Sequence, residues 1–222
     1  PITLAKVLKD IAHADYGKSI ENHKYGVNGG FTLRQTPVAE QDSSLSQRVF
    51  MFGAMGQGGR GAYALNLGST NKTAKTGLDV DTTEWNKTVP LFETPKGEAN
   101  KLGYTIGTPQ IGRVSIKRET DGSAKLNENI RYAGFLASGY AAEEKDAAAN
   151  ETALYVYEML GKEVGTGEKR GQAAGKPGDQ LAKIVVKDGV GGLSTPTLLD
   201  TDFDGVVDFA FAGDRGGNMY RF

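Results

Sequence analysis

The sequence predicts an all-β fold on three observations. It holds 31 glycines in 222 residues, a glycine-rich lead-in ending in Thr-Pro occurs three times, and short apolar or aromatic runs follow each lead-in. Glycine in that abundance marks many tight turns, and many turns mean many short strands. The lead-ins end at Thr36-Pro37, Thr108-Pro109 and Thr195-Pro196. A recurring small antiparallel sheet is the pattern of propeller blades. The expectation is therefore part of a modified β-propeller with long inserted loops and a short N-terminal helix.

The elements follow in order. Leu4, Val7, Leu8 and Ile11 recur at helical spacing and place a helix in residues 2–12, packed on or between blades. After each Thr-Pro the repeat predicts a short strand, a turn and a second strand running into small residues, at 49–54, 131–135 and 207–213. A glycine or polar loop leads to a third strand with aromatic and aliphatic residues, at 62–67, 153–157 and 218–222. Ordinary blades take about 40–50 residues, and the Thr-Pro pairs are spaced more widely. The surplus is assigned to insertions: the polar stretch 69–101 and loops around 143–150 and 165–180. About four to eight blades close a ring. Residues 1–222 thus read as a fragment of one propeller domain, about three blades, with the rest of the ring elsewhere. The start at Pro1 without a methionine agrees with that expectation.

Composition bounds the function. A net charge of -1 excludes a strongly basic nucleic-acid binder. No apolar run approaches the roughly 20 residues of a membrane span, and no signal peptide is evident. The absence of cysteine excludes a disulfide scaffold. His13 and His23 are the only histidines and neither neighbours a nucleophile, so no enzyme is expected. Gly56, Gly58 and Gly61 satisfy a dinucleotide-binding pattern, but they lead into a strand rather than a helix and read as a hairpin. The acidic run at Asp79, Asp81 and Glu84 lacks a glycine turn and reads as a surface loop rather than a second cation site. Glu143 and Glu144 read as solvated.

One segment asks for an ion. Asp200, Asp202, Asp204 and Asp208 place four carboxylates within nine residues, where they repel one another. Their spacing matches a calcium loop: oxygens at positions 1, 3 and 5, a backbone carbonyl at 7, a further oxygen at 9, and a glycine at 6 for the bend. Asp200, Asp202, Asp204 and Asp208 are the candidate side-chain ligands, Val206 the carbonyl ligand and Gly205 the bend. Position 12 is Phe211, not the closing glutamate of an EF-hand, and the flanks at 197–199 and 209–213 are strand-like. The loop is therefore expected to join two strands, with Asp208 closing the shell. An all-oxygen, flexible site suits Ca²⁺ better than Mg²⁺, and without cysteine or nearby histidine it suits neither zinc nor copper. The bland alternative is a solvated Asp/Gly turn.

Further residues carry a resemblance. Behind the aspartate loop come Ala212-Gly213-Asp214 and then Gly217-Asn218-Met219-Tyr220-Arg221-Phe222. With the glycine hairpin and strand at 56–67 and the segments 102–109 and 23–30, this order resembles the C-terminal propeller of the PilC/PilY family of type IV pilus-associated proteins. The ending is most similar to the neisserial PilC branch. The resemblance implies an adhesin at the pilus tip or outer membrane of a Gram-negative bacterium, with a part in virulence. It implies roles in pilus biogenesis, in the balance of pilus extension and retraction, in twitching motility and in host-cell attachment. Its partners would be pilus subunits or tip minor pilins and a host-cell receptor. The family's calcium site would fall on Asp200, Asp202, Asp204, Val206 and Asp208. Gly213-Asp214-Arg215 is not the integrin-binding order, so integrin recognition is not supported. In a bacterial protein the glycosylation patterns at Asn71, Asn86 and Asn150 are incidental. Two other readings stay open: a quinone-dependent propeller dehydrogenase in which calcium serves the cofactor, and a purely structural calcium-stiffened propeller.

Overall fold

The computed structural model describes residues 4–19, 23–36, 47–70, 89–95, 101–116, 130–141, 150–160 and 176–222. Among these described residues one helix, α1 (Ala5–Ile11), precedes eleven strands: β1 (Phe31–Gln35), β2 (Gln47–Ala54), β3 (Ala62–Thr70), β4 (Pro90–Glu93), β5 (Gln110–Ser115), β6 (Ile130–Ala137), β7 (Ala153–Glu158), β8 (Gln180–Val185), β9 (Thr197–Leu199), β10 (Phe209–Gly213) and β11 (Met219–Arg221). They form three antiparallel sheets in the orders β1-β2-β3-β4, β5-β6-β7-β8 and β11-β10-β9. The first strands of the three sheets are neighbours, β1 beside β5 and β5 beside β9.

Two apolar seams hold the sheets together. Side chains alternate across a strand, so β6 and β7 of the middle sheet send alternate residues to each seam. Phe50 and Phe52 of the first sheet meet Tyr132, Leu136, Tyr155 and Tyr157 of the second. The Phe50 and Tyr132 rings meet edge-on at 5.4 Å, and Tyr155 stacks on Tyr157 at 6.2 Å. Such pairs contribute about 0.5–1.5 kcal/mol each beyond their buried area. The opposite face of the middle sheet, with Ala133, Phe135, Ala137, Leu154 and Val156, packs on Ala210 and Ala212 of the third. β7 is consequently buried at every position. A Cβ at Gly134 would lie 2.7 Å from both the Phe52 ring and the Met159 sulfur, so the backbone of β6 approaches the first sheet more closely than any side chain allows.

The middle sheet also buries a charge pair. Arg131 is 1% exposed and Glu158 is fully buried, with Arg131 Nε 3.9 Å from the Glu158 carboxylate. Burial lowers the Arg131 pKa, and Glu158 works against that shift.

Several expectations change in detail. The stretch 69–101 is not insertion throughout, because β4 lies inside it and pairs with β3. The first Thr-Pro pair is out of step with the others. β5 and β9 follow their Thr-Pro, whereas β1 ends before Thr36-Pro37. The two pairs in step do structural work at sheet junctions: Pro109 and Pro196 are fully buried, and the Thr108 N–H donates to Thr195 Oγ1 at 3.0 Å. The first strand therefore begins straight after Gly30, whose N–H donates to the Gly107 carbonyl at 2.9 Å. The helix is held at Leu4, which is buried, rather than along its apolar stripe; Leu8 is exposed. The expectations at Asn71, Asp79, Asp81, Glu84, Asn86, Glu143 and Glu144 lie outside the described residues.

Candidate metal centre

The aspartate loop joins β9 to β10, two antiparallel strands in which Leu199 pairs with Phe209. The ladder ends at that pair, and residues 200–208 make the excursion. Short side chains that hydrogen-bond their own backbone shape it. Asp200 Oδ2 accepts the Gly205 N–H at 2.7 Å, and Asp204 Oδ1 accepts the Val206 N–H at 2.7 Å. Asp202 Oδ1 accepts the Asp204 N–H at 3.3 Å. Asp208 Oδ2 accepts the Thr201 N–H at 2.8 Å together with the Thr201 hydroxyl. Gly205, with φ of 82°, occupies the left-handed region that glycine adopts without a steric cost. Phe203 is also left-handed and points its ring into solvent.

These bonds gather carboxylates. Asp200, Asp202 and Asp208 each offer an oxygen within 4.8 Å of the other two. Asp204 is not in that group; its carboxylate faces the Val206 N–H. Val206 is buried. Asp200 Oδ1 is buried and makes no hydrogen bond among the described residues. An orphaned carboxylate oxygen beside two further carboxylates is a poor arrangement for a bare turn and a good one for a hard cation with oxygen ligands. The residues present therefore fit a hard metal ion.

A residue that the sequence reading missed stands against this loop. Arg113 of β5, in the middle sheet, donates from Nε to the Gly205 carbonyl at 2.8 Å and from Nη2 to the Asp204 carbonyl at 3.4 Å. Burial pushes the Tyr132 hydroxyl pKa up, and the nearby Arg113 and Arg34 guanidinium groups work against that rise.

The other motifs take structural places. Gly56, Gly58 and Gly61 lie in the loop joining antiparallel β2 and β3, as the hairpin reading expects. Asn150 is buried; it accepts the Gly192 N–H and donates to the Ser138 carbonyl, so its amide is committed inside the fold. The His13 ring accepts the Asp15 N–H, and His23 meets the Tyr25 ring edge-on at 4.7 Å. Asp214 closes the β10–β11 turn, accepting from the Gly216 and Asn218 N–H groups and the Tyr220 hydroxyl.

Comparison with known proteins follows the same lines. The profile of one family, the PilY1 beta-propeller domain, matches residues 2–222. The type IV pilus biogenesis factor PilY1 of Pseudomonas aeruginosa strain UCBPP-PA14 is 27% identical over 78% of the chain. The PilY1 homolog of Xylella fastidiosa is 25% identical over 90% of the chain. In both cases the chain spans 11% of the relative's length. The crystal structure of the Pseudomonas aeruginosa PilY1 C-terminal domain superposes with a TM-score of 0.54 at 23% identity, covering 88% of this chain and 30% of that one. These matches agree with the PilC/PilY resemblance and with the propeller fold, and they leave the neisserial branch unspecified.

Proposed function

The chain belongs to the PilY1 β-propeller domain family, and on that premise we propose that it is a calcium-binding, non-enzymatic part of a type IV pilus biogenesis factor. Within this reading it is one piece of a larger propeller at the cell surface of a Gram-negative bacterium, at the pilus tip or the outer membrane. It supports pilus assembly, the balance of extension and retraction, twitching motility and host attachment. Its partners are pilus subunits or tip minor pilins, and a host receptor. The pilus role rests on the names of relatives that are much longer than this chain.

The observation that carries the calcium reading is Asp200 Oδ1, buried without a hydrogen bond beside the carboxylates of Asp202 and Asp208. Calcium, when bound, supplies two positive charges where the loop concentrates negative ones. The chain's own residues do the rest. Asp200, Asp202 and Asp208 hold the ion, Val206 offers its carbonyl, and Asp204 braces the Val206 N–H. Gly205 and Thr201 fix Asp200 and Asp208 through their N–H groups. A bound ion converts a self-repelling loop into a fixed corner between β9 and β10, a surface that a pilus partner can read.

Calorimetric titration tests the first half. One calcium per chain is expected, with Kd as weak as about 10⁻⁴–10⁻³ M for an extracellular module, and no binding in Asp202→Ala. The second half is tested by introducing Asp202→Ala into the parent gene and scoring surface pili and twitching in calcium-replete medium. Unchanged calcium binding in the variant would remove the metal reading, and unchanged piliation and motility would remove the pilus reading.

A further inference from the structure

We propose that Arg113 is a positioning residue for the metal loop, tying it to the middle sheet so that calcium in the loop stiffens the junction between the second and third sheets. This rests on the calcium reading above and adds a residue from β5, outside the aspartate motif.

Arg113 grips the loop twice. Its guanidinium donates to the Gly205 carbonyl at 2.8 Å and the Asp204 carbonyl at 3.4 Å. Its own carbonyl accepts the Val207 N–H at 2.8 Å. The two contacts bracket Val206, the expected carbonyl ligand. Close packing reinforces both. A Cβ at Gly205 would sit 1.7 Å from Arg113 Nη2, and one at Gly112 would sit 2.5 Å from Val207 Cγ2 and 3.0 Å from Leu198 Cδ1. The second half of the loop is thus built into the edge of β5. A guanidinium on neutral carbonyls makes charge-assisted bonds, stronger than neutral ones and fixed in direction by the planar fork. Lysine keeps the charge and loses the fork; methionine loses both.

A loop with few fixed states binds an ion with less ordering cost, and binding in turn reduces the motion of whatever the loop is attached to. The coupling is reciprocal: whatever braces β5 against the third sheet raises calcium affinity by the same factor.

Hydrogen exchange in millimolar calcium and in EDTA, with calorimetric Kd, tests the proposal on the wild type, Arg113→Lys and Arg113→Met. In the wild type, calcium slows exchange in peptides from 200–208 and also in those from 110–115. In both variants the loop still responds, calcium binds about tenfold more weakly through loss of the forked guanidinium bonds, and the 110–115 response disappears. A purely structural arginine would lower stability and leave Kd and the 110–115 response unchanged. That result, or a wild type in which only the loop responds, overturns the proposal while the calcium reading stands. A wild type in which neither segment responds and no calcium binds removes both.

Discussion

Replacing Asp208 by asparagine should invert the order of stability between calcium and EDTA. Asp200, Asp202 and Asp208 bring carboxylate oxygens within 4.8 Å of one another. At that distance and a water-like dielectric, two unit charges repel by about 0.9 kcal/mol. Asp208 takes part in two such pairs. Screening at physiological salt roughly halves the sum, leaving about 1 kcal/mol of strain that Asp208→Asn relieves when no ion is bound. An asparagine oxygen can still accept from the Thr201 N–H and hydroxyl. In calcium the sign reverses. An ion at a hundredfold excess over its Kd stabilises the wild type by about 2.7 kcal/mol, and the variant forgoes most of it. A chain of this size moves about 2–4 °C per kcal/mol. The variant should melt about 2–4 °C above the wild type in EDTA and several degrees below it in saturating calcium, by scanning calorimetry. Parallel melting curves that do not cross would refute the argument that these carboxylates form one electrostatic unit answering to a cation.

Other expectations are simpler. Glu158→Gln strands the buried Arg131 charge and should cost about 3–5 kcal/mol in urea unfolding, whereas Arg131→Met with Glu158→Leu should come near neutral. Gly134→Ala forces a Cβ to 2.7 Å from Phe52 and Met159 and should cost about 1–3 kcal/mol by the same measurement. Desolvation acts to raise the Asp214 pKa, but the hydrogen bonds from Tyr220, Asn218 and Gly216 outweigh it and hold the group below its ordinary 3.8. The stability this lends is present above 3.8 and fades as pH falls through the depressed folded value. Melts in EDTA over an acid series should therefore show Asp214→Asn less stable at neutral pH, with the gap closing in strong acid.

The aspartate loop's place between two strands was legible because its signals are local: spacing, glycine and strand-like flanks all lie within a short run. The strands β2, β3, β6 and β7 were legible for the same reason, as aromatic and aliphatic runs bounded by glycine. β4 was not, since it is four residues starting with proline and sits on a sheet edge where β3 decides its conformation. Arg113 was not, because its partners are a different sheet's loop, about ninety residues away along the chain. The burial of Arg131 and Glu158 has no signal in the sequence, because it arises from the middle sheet being covered on both sides. The first Thr-Pro was misplaced because a dipeptide shows a turn but not which strand it borders.

The two seams differ in what they grip with. Aromatic rings dominate between the first and second sheets, while between the second and third Phe135, Leu154, Val156 and Leu193 pack among alanines at 133, 137, 210 and 212. Leu198 and Val207, at the two ends of the aspartate loop, belong to the second of these seams, so any change in the loop is felt where the third sheet meets the middle one.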